Sequence, residues 1–316
     1  MRHTRLGAVS LLLVALTAGV CLGEATLSRV FQDYTGGTGY CVALGDGYVF
    51  VSNNEGVSIY DARNPEEPEF VTLYETPSGG AFDLVVIDST LYAAAIRDGL
   101  LILDVSNPAD PTLLGSYGRD VTNALVHSDI AYLCQIGRNL ELVDVSDPAD
   151  PVLLAQLGWG GDLGIAASGD IVFVTNPGRG IVKLDVTDPR NVVERGIVPG
   201  TASAYQLEAR DDKLYVAHFG QGISVFDITD PRDPTRLFSF PHTGEAYHAS
   251  GVYPLVCVAD LQEGVEVIDA SVPSAPVLVA QDRTLAPHSV YYADGYVHVA
   301  DQDEGYVLLR LTVRPR

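Results

Sequence analysis

Positively charged residues are scarce in this sequence. It contains 19 Lys and Arg against 41 Asp and Glu, which gives a formal net charge of −22. Such a negative surface repels nucleic acid, so nucleic acid is not expected as a partner. The charge has two other interpretations: it keeps the protein soluble, also in salty surroundings, or it attracts cations. Solubility is the more general role.

Long apolar runs are absent except at the N-terminus. Residues 6–20 carry no charge, follow Arg2 and Arg5 and precede small residues, which predicts a Sec signal peptide over residues 1–23. The run is short for a membrane span, so the mature chain is expected to lack a transmembrane segment. Bulky Val20 before Cys21 disfavours a lipoprotein anchor. The protein is predicted to be secreted, periplasmic or exposed on the cell surface.

Cysteine is also rare. After signal cleavage three remain, Cys41, Cys134 and Cys257, in the first, third and sixth of the repeats described below. Because no two of those repeats are neighbours, we expect no internal disulfide, and we expect all three to be small buried hydrophobic residues.

Signatures of catalysis are missing as well. No Gly-rich phosphate loop follows a strand and opens a helix, and no Ser/His/Asp constellation can be assembled from the spacing. We therefore predict no catalytic residues from these motifs.

A phrase repeated seven times dominates the chain. Its Asp occurs at 61, 104, 144, 185, 227 and 269, and Arg310 takes its place at the end, with spacings of 43, 40, 41, 42, 42 and 41 residues. A period of about 41 residues with several short apolar strands is typical of β-propeller blades. We predict an all-β fold: one seven-bladed propeller over residues 24–316, with four antiparallel strands, A to D, in each blade.

The two ends of the chain complement each other. The seventh repeat stops after three strands, and residues 25–37 resemble the end of a repeat. We expect the N-terminal segment to supply the missing outer strand of the last blade and thereby close the ring.

The repeated acidic residues have a mechanical explanation. In Asp-Val-Ser-Asp-Pro and its variants, side-chain oxygens accept backbone hydrogen bonds and proline fixes φ where strand C turns into strand D. A group used in every blade serves the scaffold. The residues to which this applies are Asp104, Asp144, Asp185, Asp227 and Asp269.

The phrases at 100–108, 140–148 and 223–231 resemble LVIVD repeats. The resemblance covers roughly residues 25–316, but it is weaker in blade 4 and degenerate in blade 7. It implies an exported bacterial or archaeal β-propeller, often on the cell surface. The family carries no agreed activity or catalytic motif, so it transfers no site residue to this chain.

Strand A is the innermost strand of a propeller blade, and its first residues reach the mouth of the channel. One aligned position varies from blade to blade and is predicted to face the channel: Cys41, Asp83, Asn123, Gly164, Gln206, His248 and Ser289. The position before it is predicted to pack between blades: Tyr40, Phe82, Thr122, Leu163, Tyr205, Tyr247 and His288. A slip of one residue would exchange the two sets.

The predicted ligand-binding residues of the mouth are Asp83, Asn123, Gln206, His248, His288 and Trp159. Trp159 lies between glycines in a connection on the same face. It is either a platform for a ligand or a wedge between blades, which is the commoner use of an aromatic side chain.

A metal site is a further hypothesis for the mouth. His248 and His288 together with Asp260 and Asp301, which lie in B–C turns, would offer nitrogen and oxygen ligands to Zn²⁺ or another divalent cation. In the alternative interpretation the carboxylates belong to solvated turns and the histidines are packed.

Taken together, the sequence predicts a monomeric, exported scaffold that binds a protein, a small molecule or a glycan on its channel-mouth face, without an obligatory cofactor. The alternative is a metal-dependent hydrolase or lyase with its site at the same mouth.

Overall fold

The computed structural model describes residues 25–34, 37–136, 140–158, 164–241, 244–283 and 285–314. Within these ranges, 28 strands form seven four-stranded antiparallel sheets arranged as the blades of a propeller. The predicted all-β fold with four strands per blade is therefore confirmed. The predicted signal peptide and Trp159 lie outside the described residues.

The strands follow the chain order A to D within each blade. Blade 1 comprises β2 Val42–Gly45, β3 Tyr48–Ser52, β4 Gly56–Asp61 and β5 Glu69–Glu75; blade 2 comprises β6 Asp83–Ile87, β7 Thr90–Ala95, β8 Gly99–Asp104 and β9 Thr112–Tyr117; blade 3 comprises β10 Val121–His127, β11 Ile130–Gln135, β12 Leu140–Asp144 and β13 Val152–Leu157; blade 4 comprises β14 Ile165–Ser168, β15 Ile171–Asn176, β16 Gly180–Asp185 and β17 Val193–Ile197.

The remaining blades follow the same plan. Blade 5 comprises β18 Gln206–Arg210, β19 Lys213–Ala217, β20 Ile223–Asp227 and β21 Thr235–Phe240; blade 6 comprises β22 Ala246–Val252, β23 Leu255–Asp260, β24 Gly264–Asp269 and β25 Val277–Asp282; blade 7 comprises β26 Pro287–Ala293, β27 Tyr296–Asp301, β28 Gly305–Val313 and, from the other end of the chain, β1 Ala25–Asp33.

The N-terminal strand closes the ring as predicted. β1 pairs antiparallel with β28, from Ala25 opposite Val313 to Asp33 opposite Tyr306, with one bulge near Arg29. Phe31 of β1 packs against Tyr60 of blade 1 and Tyr306 of blade 7, with ring centroids 6.0 and 5.7 Å apart. The closing strand therefore joins the last blade to the first as well as covering an edge.

The hydrophobic core lies between blades. One cluster, for example, joins Phe50 and Ile59 of blade 1 to Leu84 and Leu91 of blade 2. Sheets covered on both faces in this way need the nearly continuous apolar B and C strands that the sequence shows. No disulfide joins the cysteines of the described residues. Cys134 and Cys257 are buried, but Cys41 is only half-buried, so the prediction of three buried cysteines is correct for two.

The acidic residues of the repeated phrase stabilise the C–D turns, as predicted. Each carboxylate accepts a hydrogen bond from the backbone N–H two residues later: Asp104 from Ser106 at 2.8 Å, Asp144 from Ser146 at 3.0 Å, Asp185 from Thr187 at 3.1 Å, Asp227 from Thr229 at 2.9 Å and Asp269 from Ser271 at 2.8 Å. The hydroxyl and amide of Thr187 lower the pKa of Asp185 to about 2. These turns share one face of the propeller, opposite the face where the A strands begin. Among the described residues, no helix is long and apolar enough to cross a membrane.

Candidate functional site

The A strands begin around a cavity of about 360 Å³ at the mouth of the channel. Five of the predicted ligand-binding residues line it: Asp83, Asn123, Gln206, His248 and His288. The structure therefore brings these five side chains together at one surface.

The residues of the channel-facing position contact one another around the ring. The carboxylate of Asp83 in blade 2 accepts hydrogen bonds from the N–H of Leu84 and from the N–H of Ala124 in blade 3, both at 3.0 Å. The Asn123 amide lies 3.5 Å from the Gln206 side-chain oxygen, across blade 4. Blade 4 has Gly164 at this position, and a Cβ there would lie only 2.5 Å from the Tyr205 carbonyl. Glycine is therefore needed for the close approach of blade 5.

The preceding position was predicted to pack between blades, and this is only half right. Five of its side chains do contact across blade boundaries, but they do so on the rim of the cavity: Tyr40, Phe82, Tyr205, Tyr247 and His288. Leu163 lies outside the described residues. Together with Phe219 of the blade 5 B–C turn, these five form an aromatic arc with consecutive centroid distances of 4.6, 5.5, 5.0, 5.0 and 5.7 Å, in the order Phe82, Tyr40, His288, Tyr247, Tyr205 and Phe219.

The reason is local backbone structure. In blades 3, 6 and 7 a β-bulge inserts Thr122, Tyr247 or His288 as an extra residue at the start of strand A. A bulge sets two residues against one on the partner strand, so two successive side chains turn toward the mouth. In blades 1, 2 and 5 the equivalent residues lie just before the strand, where strict alternation no longer applies.

Two buried hydroxyls, which sequence reasoning missed, fix the rim to the neighbouring blade. Ser52 accepts the N–H of Cys41 at 2.9 Å and donates to the carbonyl of Phe82 at 3.3 Å. Thr175 makes the same two bonds, with the N–H of Gly164 at 2.8 Å and the carbonyl of Tyr205 at 3.2 Å. A hydroxyl at the end of an otherwise apolar B strand is the signal that could have identified them.

Burial sets the charge of the cavity. It lowers the pKa of His248 to about 4 and also lowers the pKa of His288, so both imidazoles are neutral near pH 7. Burial raises the pKa of Asp83, against the opposing effect of its amide hydrogen bonds, and raises the pKa of the Cys41 thiol well above its usual range. Cys41 is thus a protonated thiol beside Asp83.

The four-residue metal site predicted from the sequence is not assembled. Asp301 accepts hydrogen bonds from the N–H groups of Asp303, Glu304 and Ala286 at 2.9, 2.8 and 2.7 Å. Asp260 likewise accepts those of Gln262 and Glu263 at 2.8 and 2.7 Å. Both carboxylates are fully buried and shape the B–C turns, whereas the histidines line the cavity. In the part of the chain that the structure describes, no group of three or more His, Cys, Asp and Glu is placed to hold a metal ion.

Below the mouth lies a carboxyl group that sequence reasoning also missed. Glu208 follows Gln206 by two residues in β18 and so shares its channel-facing side. Its carboxylate accepts a hydrogen bond from the Ser250 hydroxyl at 3.0 Å and lies 3.7 Å from Nε2 of His248. Burial raises the pKa of Glu208 to about 7, although Ser250 and Arg210 act in the opposite direction. Extending the strand alternation by two residues would have found it.

Glu208 should make stability depend on pH. Its pKa is higher in the folded protein than the ordinary 4.5, so the folded state holds the proton more tightly and the free energy of unfolding falls as pH rises from that value through about 7. Glu208→Gln keeps the neutral form, so it should match the wild type at about pH 4, below the ordinary pKa, and its free energy of unfolding should exceed that of the wild type by at most about 3 kcal/mol at about pH 8. Urea unfolding at both pH values measures this difference. The exposed Glu69→Gln is the control, and an equal pH response of both variants would contradict the assignment.

Solved structures with a similar fold show low sequence identity. The chain resembles a computationally designed protein, Ika8, with 12% identity, a TM-score of 0.65 and coverage of 93% of this chain and 100% of that one. It resembles the β-propeller domain of Cps50 (Swd1) from Myceliophteria thermophila with 12% identity, a TM-score of 0.69 and coverage of 90% and 98%. It also resembles a catalytically inactive H270A virginiamycin B lyase from Staphylococcus aureus, solved with quinupristin, with 14% identity, a TM-score of 0.70 and coverage of 92% and 100%. These likenesses concern the fold. No curated protein matches the chain significantly.

The repeat itself matches a known sequence family. The LVIVD repeat matches residues 78–119, 118–157, 203–241 and 248–284, which correspond to blades 2, 3, 5 and 6. These are the blades in which the repeated phrase is strongest, and their C–D turns contain the carboxylate-to-amide hydrogen bonds described above. The chain therefore belongs to the LVIVD-repeat family.

Proposed function

We propose that this LVIVD-repeat propeller is an exported binding protein whose ligand occupies the cavity at the channel mouth. The aromatic arc carries the proposal. Five of its six rings, none of them fully buried, line one side of the cavity, and polar side chains of several blades converge on the same cavity. Cavities that bind small molecules combine aromatic walls with a few placed polar groups in this way.

Variation between blades also supports the channel-mouth face as the binding surface. The C–D turns use nearly the same residues in blades 1 to 6, which serves the fold. At the mouth, by contrast, equivalent positions hold a thiol, a carboxyl, amides, an imidazole and a hydroxyl. Apart from Gly164, where the close approach of blade 5 requires glycine, a scaffold alone would not need six different side chains where one would do.

A thermal-shift screen tests the proposal. A panel of organic amines, aromatic acids, oligosaccharides and short peptides is expected to contain a compound that raises the melting temperature, because a ligand that binds only the folded state stabilises it. Tyr247→Ala, which removes one of the two middle rings of the arc, should abolish the shift. Phe70→Ala, an exposed aromatic residue on the outer strand of blade 1, should leave it unchanged.

The screen can also refute the proposal. If every compound that stabilises the protein does so equally in both variants, then binding occurs elsewhere and the mouth is not the ligand site. Melting of each variant without ligand establishes beforehand that both are folded.

A further inference from the structure

We infer that the channel mouth is a site for an organic ammonium cation, an inference that rests on the proposed binding function of the same cavity. The aromatic arc presents ring faces and edges on one side of the mouth, and Asp83 supplies a carboxyl group within the same lining. A cation over aromatic rings is attracted by their quadrupoles, and a quaternary ammonium group suits several rings at once.

The charges of the lining favour a cation. Among the described residues that line the cavity, Asp83 is the one acidic side chain and no Lys or Arg is present. His248 and His288 do not compensate it, since burial lowers the pKa of each. The chain as a whole has a formal charge of −22, and such a field raises the local concentration of cations at a concave surface.

Asp83 is also held in place. Its carboxylate is fixed by the N–H groups of Leu84 and Ala124, so its position does not depend on a ligand. Deeper in the channel, Glu208 adds a second carboxyl group next to His248. Arg210 is the arginine nearest to Glu208 along the chain. Its guanidinium group stacks on the Tyr291 ring at 4.7 Å and donates a hydrogen bond to the Tyr292 carbonyl at 2.7 Å.

The polar atoms of the rim make a polyhydroxylated ligand a poorer fit than an organic cation. The Asn123 amide faces the Gln206 side chain at 3.5 Å, and the Tyr205 hydroxyl donates to the Tyr247 hydroxyl at 3.1 Å. Groups that would otherwise recognise sugar hydroxyls are thus directed at one another. The ring surfaces remain as contact elements. The Asp83 carboxyl group, whose oxygens accept the N–H groups of Leu84 and Ala124, attracts a cation electrostatically without a direct hydrogen bond, so the mouth selects charge and an apolar shape together.

Calorimetric titration with choline chloride and with its neutral carbon isostere, dimethylbutanol, separates charge from shape. We expect the wild-type protein to bind choline at least about tenfold more tightly than the isostere, a difference of about 1.4 kcal/mol. Asp83→Asn replaces the carboxyl group by an amide of similar shape and should weaken choline binding about tenfold or more. Because the amide sets an NH₂ group against the N–H of Leu84 or Ala124, melting of the variant is measured first to establish that it is folded. Asp88→Asn removes the same charge from an exposed turn of the same blade, on the opposite face, and should have no effect; Asn tolerates the positive φ of 51° there.

A second pair of variants tests the role of the aromatic arc. Tyr247→Leu should weaken choline binding, whereas Tyr247→Phe keeps the ring and should retain it. Equal affinity for choline and the isostere, or an unchanged affinity in Asp83→Asn, would overturn the cation inference while leaving a binding site at the mouth. If neither choline nor benzyltrimethylammonium chloride binds at millimolar concentration, the inference is also wrong. The proposed function then stands or falls with the uncharged compounds of the thermal-shift screen.

Discussion

A chain that starts at residue 35, and so lacks β1, is expected to lose its stable fold. β1 supplies the outer strand of blade 7, and Leu27, Val30 and Phe31 pack against two of the hydrophobic clusters. Truncating one core Phe typically costs about 3–5 kcal/mol. Losing the whole strand should cost more than about 5 kcal/mol, which is comparable with the net stability of many proteins. Urea unfolding of this chain and of one starting at residue 24 measures the difference.

Two further measurements separate loss of closure from damage by truncation. Adding a synthetic peptide of residues 24–34 to the shortened chain should restore the fold, because the peptide can pair with β28. In the full chain, Phe31→Ala should destabilise the protein, whereas Gln32→Ala, an exposed neighbour in the same strand, should not. If the shortened chain unfolds at the same urea concentration as the full chain, then closure by β1 contributes little to stability.

The sequence was sufficient for the fold because the repeat constrains it at several levels. The period sets the number of blades, the apolar B and C strands require sheets covered on both faces, and the incomplete seventh repeat requires a strand from elsewhere.

The site was harder to predict because it lies where the regular alternation of side chains along the strands ends. Alternation assigned Tyr247 and His288 to the space between blades, but a bulge at each turns them to the mouth. Bulges depend on the pairing of two strands and leave no period in the sequence. The metal hypothesis shows a related difficulty: spacing placed Asp260 and Asp301 on the correct face, but could not show that their carboxylates accept backbone N–H groups in the B–C turns.

Acidic residues fix turns at both faces of the propeller. Carboxylates of the C–D turns and of the blade 6 and 7 B–C turns both accept backbone N–H groups, and both fix a turn. Asp83 differs from them, since it lines a cavity and connects two blades. Asp83 lines the cavity, and Glu208 lies in β18 on the same side of the strand as Gln206, so these two carboxyl groups are distinguished from those that only fix turns.

Replacing Asp301 should show how strongly a buried turn carboxylate stabilises the ring. Asp301→Ala removes the acceptor of three backbone N–H groups, one of which, from Ala286, belongs to the connection between blades 6 and 7. An unsatisfied buried donor costs about 1–3 kcal/mol. Water will reach some of these donors, so the expected loss in the free energy of unfolding is about 3–5 kcal/mol.

The matched variants make the argument specific. Asp301→Asn keeps one acceptor oxygen for the turn amides of Asp303 and Glu304, but sets an NH₂ group against the N–H of Ala286, so it should lose less stability than Asp301→Ala. Asp303→Ala removes an exposed carboxylate from the same turn and should melt like the wild type. If Asp301→Ala instead kept its stability and lost affinity for Zn²⁺ measured by calorimetry, then the carboxylate would be a metal ligand. The hydrogen bonds around it predict the opposite, because they already use the oxygens that a metal would need.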